Sequence, residues 1–149
     1  MTGAAAERFV VFNLRLLAAT FAVVGLLFLV APDGTLSVLD DFGDWLPLGG
    51  FNPAPETAEQ LWLALGFAYM TVITGICLVV STDAVRYRPL LLVLAAGKAA
   101  SSLTALGFYL FDSDVFAYLL NFLVDGFLVG VALLLWSVAG RVGDPAAAF

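Results

Sequence analysis

Residues 89–139 read PLLLVLAAGKAASSLTALGFYLFDSDVFAYLLNFLVDGFLVGVALLLWSVA. Two long apolar runs in this stretch are separated by one polar turn, Asp112 to Asp114. Each run reaches the roughly 20 apolar residues that a helix needs to cross the hydrocarbon core of a bilayer. Because the turn is so short, the two helices are expected to form an antiparallel hairpin. The stretch therefore predicts membrane spans at about 89–111 and 115–139.

The rest of the chain contains two more apolar runs, at about 9–31 and 61–81, joined by an outer loop at 32–60. With 62% hydrophobic and 12% charged residues and a mean hydropathy of +1.04, the chain has too little polar material to cover a water-soluble globule. The alternating segments of about 10 residues that are typical of a membrane β-barrel are missing. The predicted fold is all-α, with residues 1–149 forming one membrane domain, an integral membrane four-helix bundle.

Breaker residues suggest where these helices begin and end. Pro32, Asp33 and Gly34 are expected to end the first span at the membrane surface. The second span is expected to continue a helix that begins near Pro55, because proline suits a first helical turn. A cleaved signal peptide is the alternative interpretation of the first span, but its apolar run is long, and Pro32 follows Ala31 where a cleavage site would be expected. We therefore expect the first span to be retained.

The basic residues predict the orientation. In a four-pass topology they all fall on one side, which should be cytoplasmic, and so should both termini: Arg8, Arg15, Arg86, Arg88 and Arg141. The side chain of Arg15, inside the apolar run, is expected to extend to the headgroups. The loops on the other side carry only acidic charges: Asp33, Asp40, Asp41, Asp44, Glu56, Glu59, Asp112 and Asp114. The predicted location is a cell membrane, either the bacterial inner membrane or a plasma membrane.

The outer loop contains an amphipathic pattern. Apolar residues recur there at spacings of three and four: Leu36, Leu39, Phe42, Trp45 and Leu46. This predicts a short interfacial helix, after which the remaining loop should cap the bundle. Asp40, Asp41 and Asp44 lie on its other side; a cation site and a solvated face are the two interpretations, and the second is favoured because the spacing matches no calcium loop. The net charge of -6, concentrated in the outer loops, would suit cations, a basic partner or a high-salt habitat.

Several function classes are disfavoured by composition. The chain has no histidine, the commonest ligand of haem and zinc, so neither a metal nor another cofactor is expected. Cys77 is interpreted as a small core or lipid-facing residue. Without a basic patch, nucleic acid is excluded as a partner. The expected partners are membrane lipid and either a membrane protein or further copies of this chain.

Lys98 and Asp125 are the most informative residues. Each lies near the middle of its span, where an isolated charge costs roughly 3 kcal/mol on insertion scales. Reflecting Lys98 through the hairpin turn places it about one helical turn from Asp125, a gap that a lysine side chain spans. We therefore expect an ion pair inside the bundle, with Asn121 donating a hydrogen bond to the Asp125 carboxylate.

Small and hydroxylated residues surround this pair. Ser101, Ser102 and Thr104 can add hydrogen bonds between helices, and Gly126 with Gly130 forms a GxxxG pattern that permits close approach. Thr71 and Thr74 could also bond across helices, although bonding back to their own helix is commoner. The predicted intramembrane cluster is Lys98, Asp125, Asn121, Ser101 and Ser102. It is either a structural clasp or a functional binding site, and no catalytic residue is assigned.

The chain resembles small bacterial four-helix membrane proteins of the DoxX-like kind and related uncharacterised families. The residues that carry the resemblance are Leu14-Arg15-Leu16-Leu17, Ala31-Pro32, Gly97-Lys98, Ser101, Ser102 and the acidic Asp125. Those proteins more often have arginine at the position of Lys98 and glutamate at that of Asp125. The resemblance implies a compact four-helix bundle, often an accessory protein, and attaches no reaction to it.

Three functional hypotheses follow. The favoured one is an accessory or structural subunit of a membrane assembly, which suits the small size and small-residue helix faces. The second is an oligomeric transporter or channel for a small solute or protons, using Lys98, Asp125 and Asn121 as a midplane polar site. The third is a membrane enzyme acting on a lipid or quinone, with Asp125 as base or Lys98 as electrophile. The sequence argues against the third because no nucleophile–base pair is evident.

Overall fold

A computed structural model describes residues 3–46, 50–54 and 60–142. Within these ranges the chain forms five α-helices: α1 (Gly3–Val30), α2 (Pro32–Trp45), α3 (Gln60–Thr82), α4 (Leu90–Phe111) and α5 (Phe116–Val142). Extended pairing in the described residues is limited to one isolated bridge, between Asn52 and Val115. The prediction of an all-α fold is confirmed. The helix start expected near Pro55, with Glu56 and Glu59, lies outside the described residues.

Four of these helices, α1, α3, α4 and α5, are long and apolar enough to cross a membrane. Their outward faces carry large apolar side chains, and Phe12, Phe111 and Phe127 are 67%, 89% and 71% exposed. In water such a surface would be a strong aggregation hazard. Length, composition and exposed surface all agree with helices solvated by lipid.

The long helices pack mainly in pairs, α1 along α3 and α4 along α5, and the pairs meet through α1 with α5 and α3 with α4. Within the first pair, Gly25 is in close contact with α3: a Cβ there would lie 2.9 Å from Cβ of Met70. The principal core contains residues from all four helices: Val10, Leu14, Ala18, Phe21, Ile73, Cys77, Val80, Leu91, Leu94, Ala95, Ala132, Leu135 and Ala139. Cys77 is therefore a core residue.

This core occupies one half of the molecule only. It uses α1 from Val10 to Phe21, the first half of α4 and the second half of α3 and α5, next to the end that carries Arg86, Arg88 and Arg141. We call this end the basic end and its core the packed half. The other end, which carries α2 and the turn at Asp112–Asp114, is the acidic end.

The junction between α1 and α2 agrees with the expected end of the first span and adds a second helix to it. Pro32, Asp33 and Gly34 were expected to end the first span, and α1 does end at Val30, but the same three residues also form the first turn of α2, with Ala31 alone between the two helices. Proline has no N–H to lose at a first helical position and its φ is already helical, so it begins a helix there as readily as it ends one. The Thr35 hydroxyl donates to the Ala31 carbonyl at 2.8 Å, which links the first turn of α2 to the residue between the two helices.

The end of α2 and residues 50–54 are attached to the start of α5. Gly43 lies directly against Phe116, where a Cβ would come within 2.7 Å of the ring. Phe51 packs edge-to-face on the same ring, with centroids 5.2 Å apart. The Asn52 amide N–H donates to the Asp114 carbonyl at 3.3 Å, and its side chain donates to the Asp114 carboxylate. The described part of the loop therefore covers the acidic end.

Candidate functional site

The ion pair expected from the sequence is present. Lys98 of α4 and Asp125 of α5 face each other, with Nζ 2.9 Å from Oδ1. Their side chains are only 2% and 6% exposed, so both charges are removed from solvent. The short hairpin turn sets the register that brings them together, because residues equally far from the turn lie at the same height. Paired in this way, the two charges are neutral as a unit.

Two aromatic rings also lie close to the Lys98 ammonium. Its Nζ lies 4.8 Å from the ring centroid of Phe21 on α1 and 5.5 Å from that of Tyr69 on α3. Both distances fall within the range of cation–π attraction. The ammonium therefore contacts the other three long helices, through a carboxylate and two ring faces. Phe21 and Tyr69 were missed at the sequence level because an aromatic residue in an apolar span resembles any other core residue.

Asn121 does not bond to Asp125, contrary to the prediction. Its Nδ2 donates to Ser101 Oγ of α4 at 3.2 Å, on the more exposed side of the α4–α5 interface. Asn121 and Asp125 share one helix face, but each turns towards the nearest partner on α4, which is Ser101 for the amide and Lys98 for the carboxylate. The structure thus brings the predicted residues together at the interface of α4 and α5, but as separate pairs and not as one network.

The hydroxyl and glycine expectations hold in part. Ser102 Oγ donates to the Phe122 carbonyl at 2.8 Å, which links α4 to α5, and a Cβ at Gly126 would lie 3.3 Å from that same Oγ. Gly130, by contrast, faces open space, so only half of the GxxxG pattern serves packing within the chain. The threonines of α3 bond back to their own helix, Thr71 to Phe67 and Thr74 to Met70.

A cavity of about 900 Å³ opens above the ion pair, on the acidic side of it. Its walls come from all five helices and are mainly apolar, with Phe21, Val24, Phe28, Leu36, Phe108 and Leu128 among the lining residues. The polar groups on its surface include Lys98, Asp125, Ser101, Thr104 and Asn121. Pockets that bind small molecules have this character: an apolar wall with a few fixed polar groups, in a volume of roughly 300–1,000 Å³.

Tyr69 lines this cavity, and its hydroxyl is an unused donor just beneath the cavity surface. Its hydroxyl oxygen is buried and has no hydrogen-bond partner among the described residues. It lies beside Gly97, where a Cβ would come within 3.4 Å of the phenol oxygen. An unpaired buried hydroxyl costs roughly 1–3 kcal/mol, so a partner supplied by a bound molecule would stabilise the site.

A second polar contact, which was also not predicted from the sequence, lies at the basic end. Arg88 Nε donates to the Trp136 carbonyl at 2.8 Å, and the guanidinium lies 3.9 Å from the centroid of the Trp136 ring. Gly140 makes this possible, since a Cβ there would lie 2.6 Å from Arg88 Cζ. Arg88, predicted only as a topology signal, therefore also joins the start of α4 to the end of α5.

The acidic residues of α2 are not grouped as a metal site. Asp41 and Asp44 are exposed, as a solvated face would be. Asp40 is half-buried, and its Oδ2 accepts a hydrogen bond from the Ala54 amide at 2.9 Å. Among the described residues, no group of three or more acidic, cysteine or histidine side chains could hold a metal ion.

Comparison with known proteins gives no relative from which a role could be transferred. No protein family, curated protein or solved structure matched the chain. The geometry of the cavity and its polar floor is therefore the basis for inferring a function.

Proposed function

We propose that the protein is a multi-pass membrane protein whose cavity binds one lipid-like small molecule. In this proposal α1, α3, α4 and α5 form the transmembrane bundle, the basic end is cytoplasmic, and the membrane is the cell membrane. The absence of basic residues from the acidic-end loops supports the orientation. Exposed Trp45, at 77%, and half-exposed Phe42 support an interfacial position for α2. The DoxX-like resemblance would agree with such a bundle.

The observation that carries this proposal is the cavity itself. It has about 900 Å³ between apolar walls and ends at a buried, charge-neutral pair. A clasp that served packing alone would need no such space, because helices normally close around an interhelical polar contact. An apolar chain would fit the walls, and a polar group would fit the floor.

The same geometry bears on the other three hypotheses: a membrane enzyme, a channel and an accessory subunit. Lys98 and Asp125 are committed to each other at 2.9 Å, which favours binding over a role as electrophile and base. The packed half lies beyond the pair, where Leu14 and Leu91 are fully buried, so the cavity does not continue as a channel in this conformation. An accessory subunit remains a prediction compatible with ligand binding, since a subunit that holds a lipid is one kind of accessory protein.

Occupancy can be tested with two variants of one helix. Ala100 and Ala96 are both exposed alanines of α4, but only Ala100 lines the cavity. The wild type is taken from its membrane into nanodiscs, and bound small molecules are counted by native mass spectrometry. We expect about one molecule per chain in the wild type and in Ala96→Phe, and a loss of most of it in Ala100→Phe. Equal occupancy in the two variants, or none in the wild type, would overturn the proposal.

A further inference from the structure

The polar floor of the cavity also specifies the charge of its ligand. We infer, resting on the proposed function, that the ligand is an uncharged amphiphile with a hydrogen-bond acceptor, such as a carbonyl or ether oxygen, held by the Tyr69 hydroxyl. Two independent features of the floor carry this inference: the enclosure of Lys98 and the free phenol.

Lys98 is not available to an anionic ligand. The groups that face its ammonium are the Asp125 carboxylate on α5, the Phe21 ring on α1 and the Tyr69 ring on α3. With 2% of its side chain exposed, little of the cation faces the cavity. A carboxylate or phosphate entering the cavity would meet Asp125 as well as Lys98, so the attraction and the repulsion would largely cancel. Its desolvation would then go uncompensated.

A cationic ligand has the converse difficulty. Asp125 is already paired with Lys98, and a second cation would lie close to the ammonium in a medium of low dielectric constant. Among the described residues that line the cavity, Lys98 and Asp125 are the only charged side chains. The site is therefore neutral overall, and an uncharged molecule enters it with the smallest desolvation penalty.

The Tyr69 hydroxyl gives the ligand its orientation. A phenol is both donor and acceptor, and this one is buried with no partner among the described residues. A carbonyl or ether oxygen can accept its proton without bringing a charge. Because Tyr69 lies beside Lys98 and Gly97 at the floor, the acceptor would lie deep in the cavity, with the apolar part of the ligand between Phe28, Leu36 and Phe108.

Four probes with the same linear tail separate the possibilities: a methyl ketone, a carboxylic acid, a primary amine and the parent alkane. Their binding to the nanodisc-embedded protein is measured by displacement of a fluorescent fatty ketone and by native mass spectrometry. We expect the ketone to bind best, and both charged probes to bind at least about tenfold more weakly. Tighter binding of the acid or the amine would overturn the inference of a neutral ligand.

Tyr69→Phe removes the donor and keeps the ring beside Lys98. It should weaken ketone binding about three- to tenfold, the value of one net hydrogen bond, and leave alkane binding unchanged. Tyr109→Phe, on α4 outside the cavity lining, is the matched control and should change neither. Equal ketone affinity in Tyr69→Phe and wild type would refute the role of the phenol.

These outcomes are distinct from a failure of the proposed function. If every probe, the alkane included, binds the wild type and Ala100→Phe equally, the cavity does not hold ligands. If the alkane competes with the ketone on equal terms and Ala100→Phe abolishes both, the cavity binds lipid-like molecules, and only the inference about the polar group is lost.

Discussion

The two halves of this molecule use the same four helices in different ways. In the packed half, Leu14, Val80, Leu91 and Leu135 are at most 1% exposed and interlock across all four helices. In the other half, which we call the cavity half, the same helices leave about 900 Å³ between them. The Lys98–Asp125 pair lies at the boundary. The packed half therefore stabilises the fold, and the cavity half has room for a bound molecule.

The difference suggests why the charge pair can be both structural and functional. From the packed side it fixes the register of α4 against α5 and, through Phe21 and Tyr69, joins that pair of helices to α1 and α3. From the cavity side it forms part of a polar floor. Mutations at, below and above the boundary should therefore have different effects.

The largest effect is expected at the boundary. Lys98→Met or Asp125→Asn alone should destabilise the protein by about 3–5 kcal/mol, because each leaves an unpaired buried charge. The double variant should recover much of the loss. Unfolding in mild detergent, followed by circular dichroism, measures all three, with exposed Asp41→Asn as the control. A double variant as unstable as the worse single variant would contradict a clasp.

The contrast between the halves is tested by two leucines of α5. Leu135→Ala, in the packed half, should cost about 2–3 kcal/mol, because the surrounding side chains cannot collapse into the space. Leu120→Ala, in the cavity wall, should cost less than about 1 kcal/mol, since one side of Leu120 already borders open space. The same unfolding measurement compares them. Equal losses would show that both halves are equally packed.

A smaller effect is expected at the basic end. Arg88→Gln should cost about 1–2 kcal/mol, through loss of the hydrogen bond to Trp136 and of the ring contact. Exposed Arg86→Gln serves as the control and should be nearly neutral. Gly140→Ala should displace the guanidinium and reproduce part of the loss, so a double-mutant cycle with Arg88→Gln should be strongly non-additive. Additive losses would mean that Gly140 acts independently of Arg88.

The smallest effect is expected at the acidic end. Asn52→Ala should cost about 0.5–1 kcal/mol, because its side-chain bonds to Ser113 and Asp114 are exposed. The change should appear as faster amide hydrogen exchange at residues 50–54. Asn13→Ala, which removes an exposed bond within α1, should leave exchange in that loop unchanged. No acceleration would mean that the Phe51 ring contact and the backbone bonds of Asn52 and Ala54 hold the loop without help from the Asn52 side chain.

Much of the fold can be predicted from the hydropathy and spacing of residues along the chain. Hydropathy and length predict the apolar helices, because a lipid-exposed helix must be apolar along nearly its whole length. The Lys98–Asp125 pair is also predictable, because a three-residue turn leaves little freedom in the register of a hairpin. These conclusions depend on distance along the chain, which the sequence contains directly.

The remaining features depend on helix rotation and on contacts between distant segments. Whether Asn121 reaches Asp125 or Ser101 is decided by a rotation of a few tens of degrees, which an apolar helix without an amphipathic stripe does not specify. The roles of Phe21 and Tyr69 around Lys98, and of Gly140 beneath Arg88, require the packing of separate helices. The cavity is space that no side chain fills, so no pattern of residues in the sequence predicts it.

The placement of both buried charges in one hairpin has a consequence for biosynthesis. A helix carrying Lys98 or Asp125 alone would enter the bilayer with a penalty of roughly 3 kcal/mol, whereas the paired hairpin presents no net charge to lipid. For a chain threaded into a membrane during translation, α4 would therefore be retained at the insertion machinery until α5 has been synthesised, and the two would partition together. Since α3 has no charged residue and the Arg15 side chain of α1 can extend to the headgroups, each of these two helices can leave for the lipid on its own.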